Sequence, residues 1–142
     1  CNGRMMLAHA ASAQAEVALG ADIRLDVIPS AVFCEPEAAM VGLTTEQAEA
    51  QGIAYKTSKA MFAANGKARA MGHADGLVKL VYDPETRRRL GCHIVGPHAA
   101  DLVTEAAMAI ATDSTVDTIG TTVVHGHPTL SEVVKSAARQ AR

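Results

Sequence analysis

The chain has 142 residues, 49% of them hydrophobic, with 3% aromatic residues and no tryptophan. This supports one domain with an aliphatic core and is too little for two large domains. The formal net charge of -2 and the lack of a basic face argue against nucleic acid or an anionic membrane as the main partner.

No apolar run approaches the ~20 residues that span a bilayer, and no signal-peptide pattern opens the sequence. We therefore expect a cytoplasmic protein, or one of the mitochondrial matrix. Three widely spaced cysteines, Cys1, Cys34 and Cys92, form no C-x-x-C motif, so they are interpreted as ordinary buried or terminal thiols. Because the chain opens at Cys1 without an initiator methionine and runs at once into a helical pattern, we expect a fragment of a longer protein.

Apolar periodicity and turn residues predict a succession of helices and strands. In chain order these are a helix over 4–19, strands over 28–33 and 38–43, a short helix over 46–50, strands over 55–62, 76–82 and 88–95, and helices over 98–112 and 130–141. Gly20 is expected to end the first helix, and Pro84 suits the second position of a type I turn that makes 76–95 a hairpin.

Strands first and helices later, with a hairpin in the middle, favour an α+β fold. We predict an antiparallel sheet of about four to five strands with helices packed on one face. No G-x-G-x-x-G and no strand-helix-strand alternation occurs, so a complete dinucleotide-binding fold is excluded.

Three shorter stretches of the sequence predict helix caps, a loop and a turn. Thr44 or Thr45 is expected to cap the helix over 46–50, and Ser114-x-x-Asp117 to cap a short helix that carries Val116 and Ile119. Residues 65–72 read as a loop with one turn of helix. The run Arg87-Arg88-Arg89 is interpreted as a solvated turn and not as a phosphate site.

The densest chemistry lies in His125-Gly126-His127-Pro128-Thr129-Leu130-Ser131-Glu132. Pro128 disfavours a helical conformation for the residue before it, so His127 is expected at the end of a loop with its ring projecting. Thr129-x-x-Glu132 fits a capping box with Thr129 as the N-cap. Alternatively, Glu132 accepts the ring N–H of His127, which fixes the tautomer and makes the other nitrogen a better base. Spacing alone leaves both roles open.

A metal site at His125-x-His127 is a further alternative, since alternate residues of an extended segment can chelate. Zinc takes three or four ligands, and these two side chains would point to opposite faces of a strand. We therefore expect no metal here.

Several separated motifs together resemble one family. They lie at residues 32–42, 62–65, 90–97, 105–110 and 125–132. In this order they resemble the C-terminal dimerisation domain of the pyridine nucleotide-disulfide oxidoreductases, and within that family most nearly the dihydrolipoamide dehydrogenases. The resemblance implies that residues 27–142 form the dimerisation (interface) domain and that residues 1–26 are a remnant of the FAD-binding domain, a helix and a linker.

The resemblance also implies catalytic roles for His127 and Glu132. His127 stands where the family has the acid/base for thiol-disulfide exchange, which reaches the redox disulfide of the other subunit, and Glu132 stands where a carboxylate orients it. A dihydrolipoyl thiol is mostly protonated at neutral pH and only the thiolate attacks a disulfide. An imidazole with a pKa near ~6.5 suits that proton transfer.

Cofactors and partners follow from the same resemblance. The expected cofactor-binding residues are Met6, Leu7, Ala8, His9, His127 and Pro128. The full-length enzyme would bind FAD, use NAD as co-substrate and form a homodimer through this domain. It would act on dihydrolipoyl groups of a 2-oxoacid dehydrogenase or glycine cleavage complex, whereas the chain alone, without the redox cysteine pair and the nucleotide-binding domains, is expected to be inactive.

Two alternatives remain: a domain like that of glutathione reductase, which shares the His-Pro and the downstream Glu, and a purely structural oligomerisation module. Cys34 departs from the Thr that is usual in the family, and neither Cys34 nor Cys92 receives a redox role. His125 is expected to be structural. Four further histidines are expected to be exposed or hydrogen-bonded: His9, His73, His93 and His98.

Overall fold

Five strands form one antiparallel sheet in the computed structural model, which describes residue 3 and residues 5–142. They are β1 (Ser30–Val32), β2 (Ala38–Gly42), β3 (Lys56–Met61), β4 (Leu77–Tyr82) and β5 (Arg89–Val95). Their order across the sheet is β1-β2-β5-β4-β3, and each neighbouring pair is antiparallel. The predicted α+β class is confirmed. Cys1 and the predicted helix start at position 4 lie outside the described residues.

In the described part of the chain, five α-helices accompany the sheet. They are α1 (Ala8–Ala18), α2 (Thr45–Ala50), α3 (Gly66–Met71), α4 (Ala99–Ala111) and α5 (Glu132–Arg139), with a 3-10 turn at Phe62–Ala64 and a π-helical turn at Thr118–Thr122. α4 packs on β2 and β5, and α5 packs on β3 and β4. The core between them contains fully buried Leu80, Ile94, Val103 and Val134, as the apolar stripes predict. No helix in the described part of the chain is long and apolar enough to cross a membrane.

The predicted hairpin of β4 and β5 is present, but the interpretation of its arginines as a solvated turn fits only the exposed Arg88 and is wrong for Arg89. The pairing register shifts between Val81 and Tyr82, so that Tyr82 pairs with Arg89. Such a bulge changes the face on which the following side chains lie. Arg89 is consequently only 4% exposed and donates from Nη2 to the Thr115 carbonyl at 3.2 Å. Arg87 forms a two-point ion pair with Asp117.

Of the two helix caps predicted for these segments, one is confirmed and one is wrong. Thr44 caps α2 in a full capping box with Gln47, as expected. The predicted Ser114–Asp117 cap is wrong, because Thr115 Oγ1 accepts the Thr118 amide and Asp117 is taken by Arg87.

The segment 65–72 is more regular than a loop with one turn. Asn65 Oδ1 accepts the Ala68 amide at 2.8 Å and so caps α3. Gly72, at φ +76°, ends that helix in the left-handed conformation for which glycine is suited. This short helix places Asn65 beside the segment 125–132.

Candidate active site

His127 and Glu132 meet at the start of α5. The ring Nδ1 of His127 lies 3.1 Å from Glu132 Oε1 and 3.2 Å from Oε2. Because a carboxylate only accepts hydrogen bonds, Nδ1 carries the hydrogen and Nε2 is left as the basic nitrogen. The His127 side chain is 79% exposed while that of Glu132 is 28% exposed. His127 is therefore an exposed base whose ring is oriented by the partly buried carboxylate of Glu132.

Glu132 also holds the backbone, so the two roles that spacing left open coexist. Its Oε2 accepts the Thr129 amide at 2.9 Å. The pKa of Glu132 lies below its ordinary value, first because of this backbone hydrogen bond and then because of the His127 ring. Both partners stabilise the ionised carboxylate, which keeps it an acceptor at neutral pH.

Thr129 is not the N-cap that the sequence predicts. α5 begins at Glu132 after Ser131, and no side chain caps it. The Thr129 hydroxyl instead donates to the Gly126 carbonyl at 2.7 Å and lies 2.9 Å from Ser131 Oγ. Only the Glu132 half of the capping box is present, because the Thr129 hydroxyl closes the loop that carries His127.

Two contacts from distant parts of the chain hold this loop, and sequence reasoning missed both. Upstream, His125 Nε2 lies 2.8 Å from Glu105 Oε1 of α4. Downstream, Asn65 Nδ2 donates to the Thr129 carbonyl at 3.0 Å. The motif matches at 62–65 and 105–110 mark these regions, but nothing in the local pattern assigns their partners.

A cavity of about 320 Å³ lies beside the dyad. Its lining includes Met61, Asn65, His127, Glu132, Ser136 and Gln140. An exposed imidazole base next to such a space can exchange a proton with a group bound there.

The residues predicted to bind the cofactor stand in two places. Met6, Leu7, Ala8 and His9 lie at the start of α1, and no hydrogen bond within the described residues joins them to His127 or Pro128. Leu7 caps α1 without a side-chain bond, and no acidic residue occupies the first turn. The first amides of a helix have no intrahelical acceptor, and Met6 beside them is exposed. Donors of this kind are able to bind the oxygen-bearing edge of an aromatic ring such as that of a flavin. The assignment remains a prediction.

The remaining histidines differ in their surroundings. His73 lies 3.4 Å from Glu35 and His98 lies 3.4 Å from Asp101, both exposed as expected. The expectation fails for His93, because within the described residues both of its ring nitrogens are buried without a partner. Burial, with the charge of Lys79, lowers the pKa of His93.

The described residues contain no group of three His, Cys, Asp or Glu side chains able to hold a metal ion. Cys92 is buried, which raises its pKa to about 12 and leaves it a thiol at neutral pH. Cys34 is exposed.

Residues 28–138 match the dimerisation domain of the pyridine nucleotide-disulphide oxidoreductases, and the chain belongs to that family. It is 46% identical to a dihydrolipoyl dehydrogenase of Synechocystis sp., over 98% of the chain and 31% of that relative. It is 40% identical to the dihydrolipoyl dehydrogenase of Bacillus subtilis, over 98% of the chain and 31% of the relative. A chloroplastic dihydrolipoyl dehydrogenase of Arabidopsis thaliana is 46% identical, over 99% of the chain and 26% of its own length.

Solved structures show the same fold. The crystal structure of LpdA from Mycobacterium tuberculosis superposes with a TM-score of 0.87 at 29% identity, covering 96% of this chain and 31% of that one. A flavoprotein disulfide reductase of Escherichia coli, RclA, shares the fold with a TM-score of 0.79 at 23% identity, over 91% of this chain and 30% of its own. The chain thus spans under a third of the length of these relatives.

Proposed function

We propose that this chain is the interface domain of a dihydrolipoamide dehydrogenase, in which His127 acts as the acid/base toward the redox disulfide of the partner subunit. The observation that carries the proposal is the His127–Glu132 pair, whose Nδ1–carboxylate contact leaves an exposed basic Nε2. The similarity to dihydrolipoyl dehydrogenases supports the substrate class. Residues 1–26 would belong to the preceding FAD-binding domain, and the match that begins at residue 28 is compatible with that boundary.

The steps follow from the geometry of the pair. Nε2 of His127 removes the proton of a dihydrolipoyl thiol, and the resulting thiolate attacks the redox disulfide, which releases one enzyme thiolate and forms a mixed disulfide. Glu132 stabilises the imidazolium through a charge-assisted hydrogen bond. The imidazolium gives its proton to the released enzyme thiolate, and His127 then deprotonates the second substrate thiol. That thiolate attacks the mixed disulfide and closes the lipoyl disulfide, while the other enzyme sulfur leaves and takes up the second proton, so that the enzyme becomes a dithiol. FAD, when bound, would pass the electron pair of that dithiol to NAD.

The partners follow from the same proposal. The enzyme would be a homodimer, because each disulfide is served by the histidine of the other subunit. Its substrates would be dihydrolipoyl groups carried by a 2-oxoacid dehydrogenase or glycine cleavage complex. Turnover of dihydrolipoamide but not of glutathione would support this assignment over a glutathione-reductase-like activity.

The test is His127→Gln in the full-length polypeptide. We expect kcat for dihydrolipoamide oxidation to fall by about 10²–10⁴, the usual contribution of a general base. Reduction of the flavin by NADH, which does not use this proton transfer, should stay unchanged in stopped-flow traces. His73→Gln, on an exposed histidine outside the site, is the matched control. Near-normal oxidation by the His127 variant would overturn the assignment.

A further inference from the structure

The His125–Glu105 contact is a buried counterpart of the exposed dyad, only two residues away along the chain. The His125 side chain is 5% exposed and that of Glu105 is 22% exposed, with Nε2 and Oε1 2.8 Å apart. Covering a carboxylate and an imidazole costs free energy unless they are hydrogen-bonded to each other. The contact is therefore a specific link between α4 and the segment 125–132.

His125 is unsuited to proton exchange with a substrate. Its Nε2 faces the carboxylate and so carries a hydrogen, while its Nδ1 is buried with no partner in the described part of the chain. A ring that is almost fully covered on both nitrogens does not reach a reactant. Any contribution to the reaction must act through its neighbours.

On the C-terminal side of His127, a hydrogen bond from Asn65 holds the segment 125–132 in place. Asn65 is buried, and it donates to the Thr129 carbonyl while its Oδ1 caps α3. Glu132 belongs to α5 and binds the Thr129 amide. The upstream side has the Glu105 contact. His127 thus projects from a short segment that is held at both ends, although its own side chain is exposed.

We propose that Glu105, acting through His125, is a positioning residue that sets where Nε2 of His127 stands for proton transfer. The inference rests on the proposed function of His127. Its physical basis is that catalysis by a base depends on sub-ångström placement, and a misplacement of about 1 Å costs about 10²-fold in rate.

The experiment compares Glu105→Ala and Glu105→Gln in the full-length enzyme. We expect Glu105→Ala to lower kcat for dihydrolipoamide oxidation by about 10- to 100-fold. The KM for NAD and the rate of flavin reduction by NADH should not change. Glu105→Gln should recover most of the activity, since its side-chain oxygen accepts the same hydrogen bond. Asp101→Ala, one turn earlier on α4 and exposed, is the matched control.

A double variant separates positioning from general stability. In the His127→Gln background, Glu105→Ala should cost nothing further, because the group that it positions is already gone. An equal loss in both backgrounds would show a merely structural role and overturn the inference. A normal kcat in Glu105→Ala, beside a defective His127→Gln enzyme, would overturn the inference alone. A normal His127→Gln enzyme would overturn the proposed function and the inference with it.

Variants of His125, the other residue of the contact, test the inference if Glu105→Ala does not fold. His125→Gln retains an amide donor toward Glu105, whereas His125→Leu does not. We expect the Gln variant to keep most of kcat and the Leu variant to lose it. Equal kcat values in these two enzymes would contradict the inference.

Discussion

Glu132 shows how one side chain can serve structure and chemistry together. Its two oxygens contact the His127 ring, and one of them also accepts the Thr129 amide. Both interactions favour the ionised carboxylate, so the pKa of Glu132 is lower in the folded protein than in the unfolded chain. A group with a depressed folded pKa adds stability above its unfolded pKa and loses that contribution as pH falls through the folded pKa.

Glu132→Gln is therefore expected to lower the melting temperature at pH 7. The difference from the wild-type protein should shrink as pH falls below about 4.3, the ordinary pKa of a glutamate, because the unfolded wild-type chain then binds a proton that the folded carboxylate takes up only at lower pH. Thermal unfolding by circular dichroism between pH 7 and pH 3 measures it. Glu85→Gln, on the exposed β4–β5 turn, is the control and should leave the melting temperature at pH 7 close to that of the wild-type protein. A Glu132→Gln difference as large at pH 3 as at pH 7 would contradict this explanation.

At the scale of elements, the backbones of β2 and β5 approach each other so closely at the end of their pairing that only glycine fits there. Gly42 pairs with Gly91 at the end of the strand pair and has φ +74°. A Cβ at Gly42 would overlap the Leu90 carbonyl oxygen and lie 3.0 Å from Ile110 Cδ1 of α4. Glycine is required there for space as well as for conformation.

Gly52 separates these two effects, because its φ is +67° and a Cβ there would meet nothing within 4 Å. Gly52→Ala should cost only the left-handed strain of about 1–2 kcal/mol. Gly42→Ala should cost that strain and an overpacking penalty of about 1–3 kcal/mol more. Urea unfolding midpoints of the two variants test the difference. Equal losses would show that the strands separate freely at Gly42 and that the overlap has no energetic weight.

At the scale of the whole molecule, exposed apolar side chains lie next to the site. Val124 precedes His125, and Met108 lies one turn beyond Glu105 on α4, so both flank the same buried contact. Both are exposed in the isolated chain. Apolar surface of this kind commonly marks an interface between proteins, which accords with membership of a dimerisation-domain family.

Met108→Asp combined with Val124→Asp is expected to weaken the homodimer that we propose for the full-length protein. A charge buried at an interface without a partner costs several kcal/mol, so the dissociation constant should rise by at least about 10²-fold. Sedimentation equilibrium measures it. Gln51→Asp, at an exposed position at the C-terminal end of α2, is the control and should leave the dimer intact. An unchanged dissociation constant would place the interface elsewhere on the domain.

Local patterns predicted the elements well where the interactions are themselves local. Three features depend on residues close in sequence: the Thr44–Gln47 capping box, the β4–β5 hairpin, and the apolar stripes of α4 and α5. The short α3 was underestimated because six residues carry little intrinsic helical signal. The burial of Arg89 was missed because a bulge shifts the register, and a pattern of alternation does not show where a bulge falls.

The sequence by itself determined the α+β class and the order of most of its elements, and it restricted Glu132 to two roles, the cap and the partner of His127, because both partners lie within five residues of it. Only the tertiary structure decided what holds His127 and Glu132 in place. Glu105 reaches His125 across 20 positions of the chain, and Asn65 reaches Thr129 across 64. Contacts at such separations depend on how α3 and α4 pack around the sheet, and no local propensity specifies them.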